Sequence, residues 1–148
     1  MVTPTFRSTD HGPATPFRIH GRVDFELCPP LLSTLAVGPF NQELVTALGK
    51  LAFEVYREMS ASGPWMELVR FEESALAAPE VLRSFGSVLV QLAAQGLGPK
   101  AVAYVLDPEV EGTLLMAPLF AQSFAGAGIL FAHFPSEPEA RAWLEAQA

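Results

Sequence analysis

Apolar positions recur along this chain with two periods. From Phe17 to Leu27 the period is two, with Phe17, Ile19, Val23, Phe25 and Leu27 alternating against polar positions and Gly21 interrupting. Such alternation predicts a strand with one solvated face. Cys28-Pro29-Pro30 ends it, and Leu31 to Val37 predicts a second strand, antiparallel to the first because the link is short. Gly38-Pro39-Phe40-Asn41 then stops the strand, and the period changes to that of a helix. Asn41 suits the N-cap, Glu43 the first turn, and Leu44, Leu48, Leu51, Val55 and Met59 line one face as far as about Ser60. Phe53 falls away from that apolar stripe, among Glu43, Lys50, Glu54 and Arg57.

Gly63-Pro64 separates this helix from a strand at Trp65 to Phe71, where Trp65, Glu67, Val69 and Phe71 alternate against Met66, Leu68 and Arg70. Pro79 opens a second helix whose buried face is Val81, Leu82, Phe85, Val88, Leu89 and Leu92, with Gly96 at its end. Ala101 to Leu106 is a short continuous apolar strand, as in a sheet covered on both faces. A third helix is expected within Gly112 to Ala125, starting near Pro118, and a last strand at Ile129 to Phe134. Ser136 with Glu139 predicts a capping box before a final helix that packs Ala140, Trp143 and Leu144. The order is ββαβαβαβα: an N-terminal hairpin, then alternation that implies right-handed crossovers and a mixed, mostly parallel sheet. The expected organisation is a flexible tail over 1–16 and one α/β domain over 17–148.

Composition narrows the classes. Half of the 148 residues are apolar, ample for a buried core and against disorder. Sixteen acids face nine bases, a net charge of −7, and the seven arginines are scattered. Counterion release on nucleic acid and attraction to anionic lipid both need clustered cations, so neither partner is expected. The run Leu114 to Phe134 approaches the length of a membrane span, but Pro118 and Ala125-Gly126-Ala127-Gly128 would interrupt it, and a helix, a turn and a strand account for the same residues. Cys28 is the single cysteine, so no intrachain disulfide can form; with no apolar leader at the polar N-terminus, a cytoplasmic protein is expected.

Several local motifs resemble a known family. Gly38-Pro39-Phe40-Asn41 before the first helix, Gly63-Pro64-Trp65 opening the next strand and Glu139-Ala140-Arg141-Ala142-Trp143-Leu144 at the close look like small bacterial proteins grouped with STAS and CRAL-TRIO-like folds. The element order likewise resembles the STAS fold of SpoIIAA-like anti-sigma factor antagonists. That resemblance implies a single-domain STAS-like fold and a regulatory or binding role without catalysis. It does not carry over the antagonists' phosphorylatable serine, because the matching stretch, Leu76-Ala77-Ala78-Pro79-Glu80-Val81, holds no Ser or Thr. Nor does it carry over CRAL-TRIO lipid binding, which needs a larger pocket.

Candidate chemistry is sparse. Sites in open parallel sheets form at the carboxyl ends of the strands. Those ends hold Glu72, Glu73 and Ser74, then Asp107, Glu109 and Glu111, then His133. Carboxylates and an imidazole there could serve a hard cation or acid–base work; the plainer reading is solvated loop acids, since no metal-ligand spacing, nucleophile elbow or phosphate-binding glycine loop occurs. No catalytic residue, metal ligand or cofactor is assigned. Interaction signals are stronger. Phe53, and Leu115, Met116, Leu119 and Phe120 in a segment with more apolar faces than one helix needs, mark an expected interaction surface. The leading expectation is therefore a non-enzymatic module that binds a protein partner or forms a homodimer. The alternatives are a small apolar-ligand carrier, with a pocket between sheet and helices near Trp65 and the third helix, and a weak metal- or acid/base-dependent enzyme.

Overall fold

The computed structural model describes residues 3–11 and 18–148. Its strands are β1 (Thr5–Ser8), β2 (Arg22–Cys28), β3 (Leu31–Val37), β4 (Met66–Glu72), β5 (Ala101–Val105) and β6 (Phe131–Phe134). The helices are α1 (Gln42–Ser60), α2 (Pro79–Ala94), α3 (Thr113–Ala127) and α4 (Glu137–Gln147). The strands lie side by side in sequence order in one sheet. β1 with β2 and β2 with β3 are antiparallel, whereas β3 with β4, β4 with β5 and β5 with β6 are parallel. The architecture is the expected one: α/β, mixed and mostly parallel, with a hairpin before the alternating part.

Sequential parallel strands joined by crossovers of one hand put successive helices on one face. The core shows this. Side chains of α1, α2 and α3 share one buried cluster with Val23, Phe25 and Leu27 of β2, Leu32 and Ala36 of β3, Val69 and Phe71 of β4 and Tyr104 of β5. On the opposite face α4 packs Ala140 and Leu144 on Leu68, Ala101, Ala103 and Val105. β5 lies between the two layers, and all five of its residues are buried. That explains its unbroken apolar sequence.

Local chemistry fixes the element ends. The Asn41 side chain accepts the Leu44 N–H at 3.0 Å and also the His20 N–H at 3.1 Å, while its amide donates to the Arg18 carbonyl. One N-cap thus starts α1 and pins the segment before β2. Gly96, at φ +71°, closes α2, with its N–H on the Ala93 carbonyl and the Leu97 N–H on the Leu92 carbonyl. Gly38 answers a different need. Its N–H donates to the Ser74 carbonyl, and a Cβ there would sit 2.3 Å from that oxygen. Only glycine permits so close an approach of the loops after β3 and β4.

Some expectations are corrected. Thr5–Ser8, expected within a flexible tail, instead form the edge strand β1. Ser8 donates to Asp24 at 2.6 Å, and buried Thr9 accepts the Val23 N–H. Four residues are too few for alternation to be legible, and backbone pairing supplies what the pattern lacks. The rest of the expected tail at 1–2 and 12–16, and the start of the expected strand at Phe17, lie outside the described residues. β2 itself begins only at Arg22. Helix α3 starts at Thr113 and runs through Pro118 and Gly126. Pro118 can offer no N–H to the Leu114 carbonyl, but Leu114 is highly exposed and water can take that bond. The capping box is incomplete as well. Ser136 is the N-cap, yet its hydroxyl donates to the Glu139 carboxylate, and Pro138 removes one of the backbone donors a cap would use.

Candidate functional site

Strand β4 alternates, so Glu67 projects with Val69 and Phe71 into the layer beneath the helices. It is buried there, and its carboxylate holds two hydroxyls. Tyr56 of α1 donates to Oε1 at 2.6 Å, and Thr34 of β3 donates to Oε2 at 2.7 Å. The backbone places all three. Thr34 and Glu67 occupy the helix-facing positions of neighbouring parallel strands, and Tyr56 lies four residues after Ala52 on the buried stripe of α1. Trp65 packs edge-on against Tyr56 with ring centroids 4.7 Å apart, and its indole donates to Ser60. No buried side-chain polar atom among the described residues lacks a partner.

Burial sets the electrostatics of this trio. Loss of hydration pushes the Glu67 carboxyl up from its ordinary range, against the Tyr56 and Thr34 hydrogen bonds, which pull it down. The Tyr56 phenol is pushed well above its ordinary value, first by burial and then by the neighbouring carboxylate. Tyr104 is shifted the same way for the same reasons. The tyrosines therefore keep their protons across the physiological range, and burial makes Glu67 easier to protonate than a solvated carboxylate.

Glu67 stands at one end of a cavity of about 90 Å³ between the sheet and the helices. Leu44, Leu48, Ala52 and Tyr56 line it from α1, and Val81, Phe85, Val88 and Leu92 from α2. At 1.5 Å per residue, Leu44 to Tyr56 is a run of about 18 Å, so the lining is long relative to the volume it encloses. Half-buried Phe40, Ala77, Leu82 and Phe85 form its outer part. Its polar lining residues are Thr34, Tyr56, Glu67 and Tyr104, and no Ser, Cys, His, Lys or Arg occurs among its described lining residues. An apolar slot with a few converging polar groups at one end is the usual form of a small-molecule site.

The expected sites fare differently. Glu72, Glu73, Asp107 and His133 are all exposed. What joins the loops after β4 and β5 is backbone: the Ala75 N–H donates to the Glu111 carbonyl and the Glu111 N–H to the Glu73 carbonyl. Ser74 is buried, where its hydroxyl accepts the Leu76 N–H, and Asp107 accepts the Glu109 N–H in its own turn. No group of three or more His, Cys, Asp or Glu among the described residues is placed to hold a metal ion. The expected interaction surface is also corrected. Met116 and Phe120 are core residues, and Phe120 stacks on Phe71 with centroids 5.4 Å apart. Leu119 and Phe53 are half-buried against the core, which leaves Leu115 exposed beside Leu114. α3 turns Thr113, Met116, Ala117, Phe120 and Phe124 inward, and its Phe120 and Phe124 cover Tyr104 while Phe124 also stacks on Phe131.

Reading the sequence for loops at strand ends missed Glu67, Tyr56 and Thr34. A signal was present: Glu67 shares its alternation with Trp65, Val69 and Phe71, and a carboxylate in an apolar set needs a partner. The expected pocket is placed between sheet and helices near Trp65 and the third helix; in the structure Trp65 sits behind Tyr56, and α1 and α2 supply more of the helical wall than α3, which gives Phe120 and Phe124. Among the described residues no helix is long and apolar enough to cross a membrane. Comparison of the chain with family models, curated proteins and solved structures finds no match in any of the three.

Proposed function

We propose that this protein is a non-enzymatic binding module that holds one small apolar ligand in the slot between the sheet and helices α1 and α2. The observation that carries this reading is the cavity itself, apolar along its length with the Glu67–Tyr56–Thr34 cluster at one end. Its size sets the scale of the ligand. An engineered cavity of roughly 150 Å³ accepts benzene, so a slot of about 90 Å³ takes a smaller body unless α2 moves outward. The described lining holds no Ser, Cys, His, Lys or Arg, and its Glu67 is engaged by the Tyr56 and Thr34 hydroxyls with no other base beside either hydroxyl, which favours binding over catalysis. Consecutive βα units winding along one sheet support a STAS-like family, and the lone Cys28 supports a cytoplasmic location.

A second reading, self-association or docking of a protein partner, is favoured by one observation. Leu114 and Leu115 are 86% and 64% exposed at the start of α3. Native mass spectrometry of freshly purified protein, repeated after denaturation, separates the two readings. Extra mass that leaves on denaturation supports the ligand module. A dimer mass with no extra mass supports association. A bare monomer whose melting temperature no small apolar compound raises would overturn both.

A further inference from the structure

The chemistry of the slot also restricts which polar group a ligand can carry; this rests on the ligand-binding reading above. Glu67 is the one carboxylate in the described lining, and the remaining polar groups there are the hydroxyls of Thr34, Tyr56 and Tyr104. Each Glu67 oxygen already receives one hydroxyl proton, at 2.6 and 2.7 Å. A carboxylate oxygen can accept more than one hydrogen bond, so each retains capacity for a further donor. With no Lys, Arg or His in the described lining, a carboxylate or phosphate on the ligand would face Glu67 with nothing to balance it, an arrangement that is heavily penalised in a low-dielectric interior.

An ammonium group does the reverse. It brings N–H donors and also the positive charge that balances the buried carboxylate, which a neutral hydroxyl cannot supply. Aromatic faces add to this. Tyr56, Phe71, Tyr104 and Phe120 all line the same space, and ring faces attract cations. We propose that the slot selects small lipophilic amines, with the ammonium group on Glu67 and the alkyl tail running between α1 and α2 toward Phe40 and Leu82. Neutral isosteres bind less well, and acids are excluded.

The test is an amide NMR titration of the full chain at pH 7 and matched ionic strength with n-butylamine, n-butanol and butyrate. Butylamine is expected to shift amides of β4 and α1 around Glu67 and Tyr56 and to bind about tenfold tighter than butanol, because its positive charge pairs with the carboxylate in addition to the hydrogen bond that either ligand can donate. Butyrate is expected to leave those amides in place. Glu67→Gln should bring butylamine down to the level of butanol. Equal binding of butanol and butylamine to the native protein would overturn the amine preference and leave the ligand slot standing. Binding of neither would overturn both. Amine shifts that survive in Glu67→Gln would place the amine on the acidic surface and refute the pairing. If that variant does not fold, the amine-to-alcohol ratio of the native protein decides.

Discussion

Replacing Tyr56 by Phe removes one oxygen from a fully buried place. The bond it makes to Glu67 is 2.6 Å long, in the range of hydroxyl-to-carboxylate bonds. Bonds to charged groups are worth about 1.5–3 kcal/mol, against about 1 kcal/mol for neutral pairs. When Glu67 is ionised, Tyr56→Phe should therefore cost about 2 kcal/mol, which in a chain of this length lowers the melting temperature by roughly 4–8 °C. The cost must also depend on pH. Burial raises the carboxyl of folded Glu67 above its unfolded value, so the folded state holds the proton more tightly. Its contribution to stability is fully present below the ordinary carboxylate range and is lost as pH rises through the folded value. The Tyr56 hydrogen bond opposes that rise, so removing it pushes the folded value higher and deepens the loss at high pH. Urea denaturation followed by far-ultraviolet circular dichroism, at pH values from 5 to 8, measures this directly. The penalty should grow with pH, and in a Glu67→Gln background it should shrink to about 1 kcal/mol and become flat. A penalty below about 0.5 kcal/mol, or one independent of pH, would refute the buried hydrogen-bonded carboxylate.

Other substitutions test other parts of the structure. Gly38→Ala places a Cβ 2.3 Å from the Ser74 carbonyl oxygen and should cost about 2–3 kcal/mol in urea denaturation; a neutral result would mean the two loops are not in contact. Phe120→Asp buries a charge against Phe71 and Tyr104, so it should abolish cooperative thermal unfolding, whereas a folded variant would show that Phe120 is not core. Leu114→Glu with Leu115→Glu should change stability by less than about 0.5 kcal/mol, and size-exclusion chromatography would show whether it splits an assembly. Pro118→Ala restores a donor in the body of α3 and should raise stability by about 1–3 kcal/mol; no gain would mean that the helix is bent around the proline.

The sequence determined by itself the features that depend on short stretches. The two helical stripes of α1 and α2, the N-cap at Asn41, the end at Gly96 and the strands β3, β4 and β5 follow from periodicity and end signals. Element order then implied the parallel sheet, because short crossovers of one hand leave few arrangements. The tertiary structure decided what depends on neighbours distant in the chain. β1 exists because β2 offers an edge, and Pro118 is accepted because its side of α3 faces water. Met116 and Phe120 look like surplus apolar residues until α3 is laid over Tyr104 and Phe131, which need covering. The site belongs to this second kind. Thr34, Tyr56 and Glu67 come from three elements and show no spacing that joins them; the parallel register of β3 with β4 and the antiparallel return of α1 bring their oxygens together. Hydrophobic pattern specifies which face of each element is buried, whereas the pairing of polar groups within that face is fixed only when the layers close.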